Sequence, residues 1–350
     1  RDRSVSRGLG DVYKRQTMLI TVKMLFLNTI IQSIGGSAGM VSYSVCSSSQ
    51  IFMSMFITGA SQTMIPIIGV CLGEKDYDGV RYAFRRAARV LAVSSVVIML
   101  FICIEPEPII KFFGITSPTD IANTVPAMRI NALSFPGLSF SFLLLYYYMA
   151  TQKRAISTAI SIINGIVILI PSALILGKFF GITGVWYSLV VAQVGTLVVV
   201  YFIDLAEKRK SGGKYKNFYL LEETEDNELL ALSFKGTKEN AAGVSLYLSS
   251  FLSKNGIEES RANRIAVAVE EMAASCAERM EGKKKFADID IRIFADKNET
   301  IISVRDNGDE FDPLNDDKEF EMSPLTVVKA ISDKVEYSRA LGFNRTIIKL

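Results

Sequence analysis

The sequence predicts two parts in one chain: an all-α membrane helix bundle of about six spans, then a soluble α+β sandwich domain. Residues 17–205 contain several apolar runs of about 20 residues, which is the length a helix needs to cross a bilayer core. After the basic stretch KRKSGGKYK the pattern changes to short alternating segments and one long amphipathic helix. We therefore assign 17–205 to the bundle, 206–220 to a basic linker and 221–350 to a cytosolic domain.

The first sixteen residues, RDRSVSRGLGDVYKRQ, are polar and basic. They contain no apolar stretch followed by a small-residue cleavage site, so they do not have the pattern of a signal peptide. We interpret 1–16 as a non-native leader and exclude these residues from the fold prediction.

Six spans are predicted at 17–34, 46–72, 87–104 (extending to about 112), 127–150, 155–177 and 182–203. Runs such as VLAVSSVVIMLFICI have none of the polar stripe that a helix in a soluble core normally carries. This argues against the alternative of a large soluble helical protein.

Lysine and arginine cluster in the loops after the second, fourth and sixth predicted spans, whereas the opposite loops carry only Lys111 and Lys178. Cytoplasmic loops of membrane proteins are enriched in these two residues. We therefore expect a multi-pass protein of the plasma membrane whose C-terminal domain is cytoplasmic.

Composition excludes several classes of site. The chain has no histidine, and its four cysteines lie far apart without a CxxC motif. This argues against a zinc site, a disulfide framework and a Ser-His-Asp or Cys-His catalytic pair. The net charge is only +3, and we expect no nucleic-acid partner.

Four polar residues within the predicted spans are candidates for a substrate pathway: Asn28, Gln62, Asn131 and Asn164. Polar groups at membrane depth face a cavity or bond to a neighbouring helix, and both interpretations stay open here. No Asp or Glu lies in the middle of a predicted span, so the sequence does not identify a coupling ion.

The stretch ITGASQTMIPIIGVCLGEKDYDGVRYAFRRAARV resembles a motif of the multidrug and toxic compound extrusion (MATE) transporters. There, G-x-x-Q-x-x-x-P-x-x-G ends a span and a glycine- and tyrosine-containing segment begins the next loop. The matching residues are Gly59, Gln62, Pro66, Gly69, Gly73, Asp76 and Tyr77. EPEPIIKFFG and GITGVWYSLVVAQVGTLVVVYF resemble later parts of the same lobe.

The resemblance implies an ion-coupled antiporter that exports small molecules, including xenobiotics, across the membrane. MATE transporters have two such lobes, so residues 17–205 would be the second lobe and the N-terminal lobe would be missing from this fragment. On that interpretation the fragment alone does not transport.

In the second part, ELLALSF and ADIDIRIFAD alternate as strands, and 258–280 has the periodicity of a long amphipathic helix. The predicted order is strand, helix, helix, strand, strand, helix, strand, strand. This order predicts a helix layer over a mixed sheet.

The segments AVEEMAAS and RDNGDEFDP, in this order and spacing, resemble the GHKL (Bergerat-type) ATP-binding fold, in particular anti-sigma-factor serine kinases. The resemblance implies ATP and Mg²⁺ as cofactors and Glu271 as the catalytic general base. Ser275 stands where the family has a magnesium-binding Asn, and Asp306 with Gly308 matches the turn that holds adenine.

The motif is degenerate. A hydroxyl at Ser275 is a poorer magnesium ligand than an amide oxygen, EMSPLTVV has no glycine where phosphates should bind, and the segment NDDKE is acidic. We expect a regulatory domain with weakened nucleotide binding. The alternatives are a membrane-tethered serine kinase acting on a cytosolic protein, or a module that docks a protein without nucleotide.

Overall fold

A computed structural model describes residues 2–212, 215, 218–221, 229–280, 287–295, 299–312, 332–340 and 342–350. The chain divides into two compact units. The first comprises Arg1–Leu72 and Tyr77–Glu222, and the second comprises Gly73–Asp76 and Glu223–Leu350.

The first unit has only helices as regular elements among its described residues. Its elements are α1 (Asp2–Gln62), α2 (Met64–Gly73, whose last residue belongs to the second unit), α3 (Tyr77–Ile104), α4 (Glu107–Phe112), α5 (Pro118–Leu133), α6 (Phe135–Ala150), α7 (Arg154–Ile162), a π-helix (Ile163–Val167) and α8 (Leu169–Lys210). One apolar core joins all of these elements except the π-helix.

Two glycines break the longest helices. Gly36 in α1 has φ 56° and ψ −149°, and Gly181 in α8 has φ 61° and ψ −147°. Only glycine adopts this conformation without strain, because it has no Cβ. Residues 37–45 are helical, although they lie between the predicted spans 17–34 and 46–72. The segment contains no proline, so nothing covalent prevents the helix from resuming after Gly36.

Within the described residues, three helices are long and apolar enough to cross a membrane: Thr21–Gly73, Tyr77–Ile104 and Arg154–Lys210. A fourth is added if Pro118–Leu133 and Phe135–Ala150, which are bent by 41°, count as one span. The first and third contain the breaks at Gly36 and Gly181. Each of these two helices therefore covers two of the six predicted spans.

The second unit consists of a five-stranded sheet and three helices among its described residues. The strands are β1 (Leu229–Lys235), β2 (Asp288–Ala295), β3 (Thr300–Asp306), β4 (Lys334–Ala340) and β5 (Phe343–Lys349). The helices are α9 (Lys238–Ala241), α10 (Val244–Lys254) and α11 (Glu259–Met280).

The strand order is β1-β2-β3-β5-β4, and every neighbouring pair is antiparallel. The prediction of a mixed sheet was therefore wrong. Because β2 to β3 and β4 to β5 are connected as hairpins, these pairs run antiparallel without a crossover. The helix predicted within SPLTVVKAISDK lies mostly outside the described residues.

The two faces of the sheet differ in chemistry. Ile289, Ile291 and Ile293 alternate along β2 and pack with residues of α10 and α11 in one apolar core. The other face carries a small cluster of Phe294, Ile301 and Ile347, together with arginine side chains.

Glu74 binds the arginine-bearing face of this sheet within the second unit. Its Oε1 accepts hydrogen bonds from Arg345 Nε at 2.6 Å and from Ser303 Oγ at 2.7 Å. Its Oε2 lies 3.0 Å from Arg305 Nη2, and Asp76 pairs with Arg292. The Glu74 side chain is fully buried, so these cations compensate for a carboxylate that has lost its hydration.

Candidate functional sites

A cavity of about 180 Å³ lies within the first unit, between α1, α6, α7 and the π-helix. Its polar wall residues are Lys23, Ser47, Gln50, Ser54, Ser141, Ser161 and Asn164. Its apolar wall includes Met24, Ile51, Leu138, Phe142, Leu145 and Ile160. A wall that mixes a few polar groups with apolar and aromatic side chains is typical of a small-molecule site.

Helix α1 forms the most polar side of the cavity. Ser47, Gln50 and Ser54 are three and four residues apart, so they lie on one face of the helix. Tyr43, one turn before Ser47, also lines the cavity. Its ring stacks against Trp186, with a centroid separation of 6.5 Å and an interplanar angle of 16°.

The π-helix fixes the opposite wall. Its Asn164 donates a hydrogen bond from Nδ2 to Gln193 Oε1 at 2.7 Å, and Ser141 Oγ donates to the same oxygen at 3.1 Å. A Cβ on Gly137 would lie 2.7 Å from Gln193 Cβ, so glycine permits the close approach of α6 and α8. π-helical turns occur frequently at functional sites.

Asn164 is the one residue of the four predicted for a substrate pathway that the structure places in this wall. Asn131 is buried and donates from Nδ2 to the Cys46 carbonyl at 3.4 Å, which is an interhelical contact. Asn28 is half-buried and Gln62 is exposed near the end of α1. Lys23 and Gln50 also form part of the wall, although neither was predicted to line a substrate pathway. From the sequence alone, Lys23 only interrupts the apolar run of the first predicted span.

In the second unit, Asp306 ends β3 beside the predicted adenine-binding turn. Its Oδ1 accepts hydrogen bonds from the Gly308 backbone N–H and from Asn344 Nδ2, each at 2.9 Å. A Cβ on Gly308 would lie 2.9 Å from Asp306 Oδ1, closer than van der Waals contact allows. A side chain at position 308 would therefore displace the Asp306 carboxylate from this hydrogen-bonded position.

Asn344 of β5 holds the turn from the neighbouring strand. Besides Asp306, its Nδ2 donates to the Asp309 carbonyl at 2.6 Å. Its Oδ1 accepts from Arg339 at 2.8 Å and from the Tyr337 hydroxyl at 3.0 Å. These bonds use the donors and the acceptor of one amide, so Asn344 ties three segments together. The sequence did not identify this residue because its contacts are long-range.

The two adjacent glutamates of α11 have different environments. Glu270 accepts hydrogen bonds at Oε2 from the backbone N–H groups of Gly243 at 3.1 Å and Ser245 at 2.9 Å, at the start of α10. Burial opposes its ionisation, but the backbone donors prevail and lower the pKa of Glu270. Glu271, the predicted general base, is exposed to solvent.

Ser275, the predicted magnesium ligand, already has a cationic partner. Arg279 donates from Nη1 to Ser275 Oγ at 2.8 Å, and its guanidinium carbon lies 3.8 Å from the centroid of the Phe311 ring. A divalent cation bound at Ser275 would lie close to this guanidinium and be repelled by it. These residues do not fit Mg²⁺. The Asp306 turn keeps the carboxylate and the glycine to which the sequence resemblance assigns adenine binding.

The interior next to this turn is apolar. Cys276 of α11 is buried, and desolvation, reinforced by the Asp306 carboxylate, raises the pKa of its thiol to about 12. The thiol is therefore protonated at neutral pH and is a poor nucleophile.

Two family models match separate parts of the chain. Residues 16–175 match the MatE family, and residues 234–350 match the histidine kinase-like ATPase domain. Comparison with curated proteins gave no match.

Solved MATE structures resemble the chain over its helical part. An outward-facing multidrug resistance MATE family transporter of the MOP superfamily superposes with a TM-score of 0.52 at 17% identity, covering 57% of this chain and 44% of that one. A MATE in complex with MaL6 superposes with a TM-score of 0.53 at 17% identity, covering 59% of this chain and 46% of that one.

A MOP superfamily transporter from Pyrococcus furiosus, whose binding pocket is described as having reverse polarity, gives a TM-score of 0.52 at 17% identity and covers 57% of this chain and 44% of that one. The chain thus spans less than half the length of these structures. The family matches and the shared fold agree: the helical part of the chain has the fold of the MATE structures, and residues 234–350 match a histidine kinase-like ATPase domain.

Proposed function

We propose that residues 17–205 are the second lobe of an ion-coupled efflux transporter, and that the chain is a fragment lacking the first lobe. The cavity between α1, α6 and the π-helix carries this proposal, since it offers a small molecule both polar and apolar contacts. Its position inside a lobe of MATE fold supports a role in transport by alternating access.

Sequencing the gene upstream of the Thr17 codon, and expressing the longer protein that it encodes, tests this proposal. We expect the upstream sequence to encode a further set of six apolar helices. We also expect the longer protein to lower the accumulation of at least one of two fluorescent dyes of opposite charge, fluorescein and ethidium, in efflux-deficient cells. The 350-residue chain, expressed at the same level in the membrane, should leave accumulation unchanged. Equal accumulation with the longer protein, the chain and an empty vector would overturn the proposal.

The C-terminal domain is proposed to be cytoplasmic. Support comes from the Lys and Arg residues that follow the second, fourth and sixth apolar segments. The segment Gly73–Asp76, which follows the second of them, belongs to the same compact unit as the domain.

Impermeant maleimide labelling of intact cells tests this topology. In a background with the four native cysteines replaced by alanine, Lys178→Cys should react from outside. Lys210→Cys should react only after the membrane is permeabilised. The reverse pattern would place the domain outside the cell.

The domain itself is proposed to regulate the transporter by binding a cytosolic protein or a nucleotide, without phosphoryl transfer. The carrying observation is the Arg279 guanidinium on Ser275, where a kinase of this fold would need a magnesium ligand. Exposure of Glu271 adds support, since no described partner orients it as a base.

Binding of radiolabelled ATP by the purified chain in detergent, with and without Mg²⁺, tests this role. We expect Mg²⁺ to leave the affinity unchanged in the natural chain. The double variant Ser275→Asn with Arg279→Ala should gain Mg²⁺-dependent binding, because it supplies an amide ligand and removes the competing cation. Transfer of the γ-phosphate to any cytosolic protein by the natural chain would favour the serine kinase instead.

A further inference from the structure

The charge of the cavity wall is set by Lys23. Lys23 lies on α1 and is half-buried. Among the described side chains that line the cavity, all the others are uncharged. No carboxylate belongs to the described part of the wall. The cavity is therefore electropositive by composition.

An ammonium group at the wall of a narrow cavity loses part of its hydration. The loss is unfavourable unless an anion or several hydrogen-bond acceptors replace the water. Within this wall the other polar groups are neutral hydroxyls and amides, and none supplies a negative charge. A bound anion would supply it, and the low local dielectric would strengthen the attraction.

The neutral groups around Lys23 are also able to donate hydrogen bonds. Ser54 Oγ donates to the Ile51 carbonyl at 2.8 Å and Ser161 Oγ donates to the Ser157 carbonyl at 3.4 Å, within their own helices. A hydroxyl rotates about its C–O bond, so these two serines and Ser47 can turn to donate to an anionic oxygen instead. Asn164 differs from them, because its amide nitrogen is held by Gln193. The serine hydroxyls are therefore the adaptable part of the polar wall.

The remaining wall is apolar and includes an aromatic ring. Met24, Ile51, Phe142 and Leu145 would contact the hydrocarbon part of a ligand. A purely inorganic anion would leave this surface without a partner, so an amphipathic molecule fits better.

We propose that this cavity binds small amphipathic molecules that carry an anionic group, and that Lys23 pairs with that group. The transport of such anions rests on the proposed function, whereas their binding does not. A cavity with this wall disfavours the organic cations that an acidic wall would attract.

The chain contains a built-in reporter for binding. Trp186 is the single tryptophan of the sequence, and it is buried and stacked on Tyr43, which lines the cavity. A ligand that contacts Tyr43 should change the emission of Trp186 excited at 295 nm. A change in Trp186 emission would show that the ligand binds in this cavity, and a separate binding measurement would give its affinity.

The probes are benzenesulfonate and phenyltrimethylammonium, which have similar size and opposite charge. Equilibrium dialysis of the purified chain in neutral detergent should show saturable binding of the sulfonate, with a matching change in Trp186 emission. Lys23→Gln should weaken it by on the order of thirtyfold, because one partner of a partly desolvated charge pair is lost. Lys23→Arg should retain it within roughly tenfold, since the charge is kept.

The matched control is Lys178→Gln, an exposed lysine on α8 outside the cavity wall, which should bind the sulfonate like the natural chain. Tighter binding of the ammonium probe, or sulfonate binding that Lys23→Gln leaves unchanged, would overturn the inference. Efflux without anion binding would refute this inference alone. Anion binding through Lys23 without transport by the longer protein would refute only the proposed function.

Discussion

At the residue scale, the adjacent glutamates of α11 allow a matched comparison. Glu270→Gln should lower the free energy of unfolding of the second unit by about 1 kcal/mol, because a charged acceptor at the start of α10 becomes neutral. Glu271→Gln should change it by less than about 0.5 kcal/mol, since Glu271 is exposed. Hydrogen exchange of the α10 amides measures both.

The same pair predicts a pH dependence. The pKa of Glu270 is lowered in the folded state, so the unfolded state binds a proton more readily and the stabilisation disappears as the pH falls below about 4.5. Glu270→Gln should flatten this part of the stability profile. An identical profile for Glu270→Gln and the natural chain would show that ionisation of Glu270 does not stabilise the second unit.

A buried ion pair near the end of α8 makes the next prediction. Asp204 is 2% exposed, and its Oδ2 lies 2.8 Å from Lys208 Nζ. Lys208→Met should lower the midpoint of thermal unfolding in detergent, because it leaves a buried carboxylate without this cation. Adding Asp204→Asn should recover much of the loss.

A double variant that is as unstable as the sum of the two single variants would contradict this reasoning. It would mean that Asp204 and Lys208 contribute independently. The sequence placed Asp204 just beyond the last span and gave no reason to expect a buried carboxylate there.

At the element scale, Glu74 joins a short segment to β3 and β5. Glu74→Gln should destabilise this contact by about 3 kcal/mol, since two arginine side chains lose a fully buried carboxylate. Asp78→Asn is the control. Asp78 pairs with Arg81 at the surface, where its side chain is 80% exposed, and its loss should cost less than about 1 kcal/mol.

Hydrogen exchange in β3 and β5 measures the effect of both changes. We expect faster exchange around residues 303–305 and 345–347 for Glu74→Gln and no change for Asp78→Asn. Equal exchange in the two variants would show that the Glu74 contacts do not hold this segment to the sheet.

The helix break at Gly181 gives a backbone prediction. Alanine at this φ and ψ should cost about 1–3 kcal/mol, because its Cβ excludes the conformation. Gly59→Ala is the control, since Gly59 lies inside α1 and a Cβ there meets no atom within 4 Å. Thermal unfolding in detergent should separate the two, and equal midpoints would argue that the break at Gly181 relaxes without strain.

Local patterns predicted the elements of both units well. The amphipathic period of 258–280 predicted α11, which spans Glu259–Met280, and alternation predicted β1 and β2. Local patterns failed where the deciding contact is distant in sequence. Glu74 meets Arg305, Asn344 meets Asp306, and Lys23 shares a wall with Asn164, and no period or spacing encodes such pairs.

For the molecule as a whole, the outer surface of the helical unit indicates the environment in which it is stable. Several large apolar side chains on its spans are exposed, including Phe52 at 77%, Val93 at 66% and Phe101 at 54%. A soluble protein rarely exposes apolar patches of this extent. Lipid would cover them, since these helices satisfy their backbone hydrogen bonds internally.

Alkaline carbonate extraction of cell membranes that contain the chain tests this view most directly. Carbonate at high pH releases peripheral proteins and leaves spanning proteins in the bilayer. The full chain should stay in the pellet and enter solution only when detergent is added. Release into the supernatant as a monomer in detergent-free buffer would contradict the assignment of residues 17–205 to a membrane-spanning lobe.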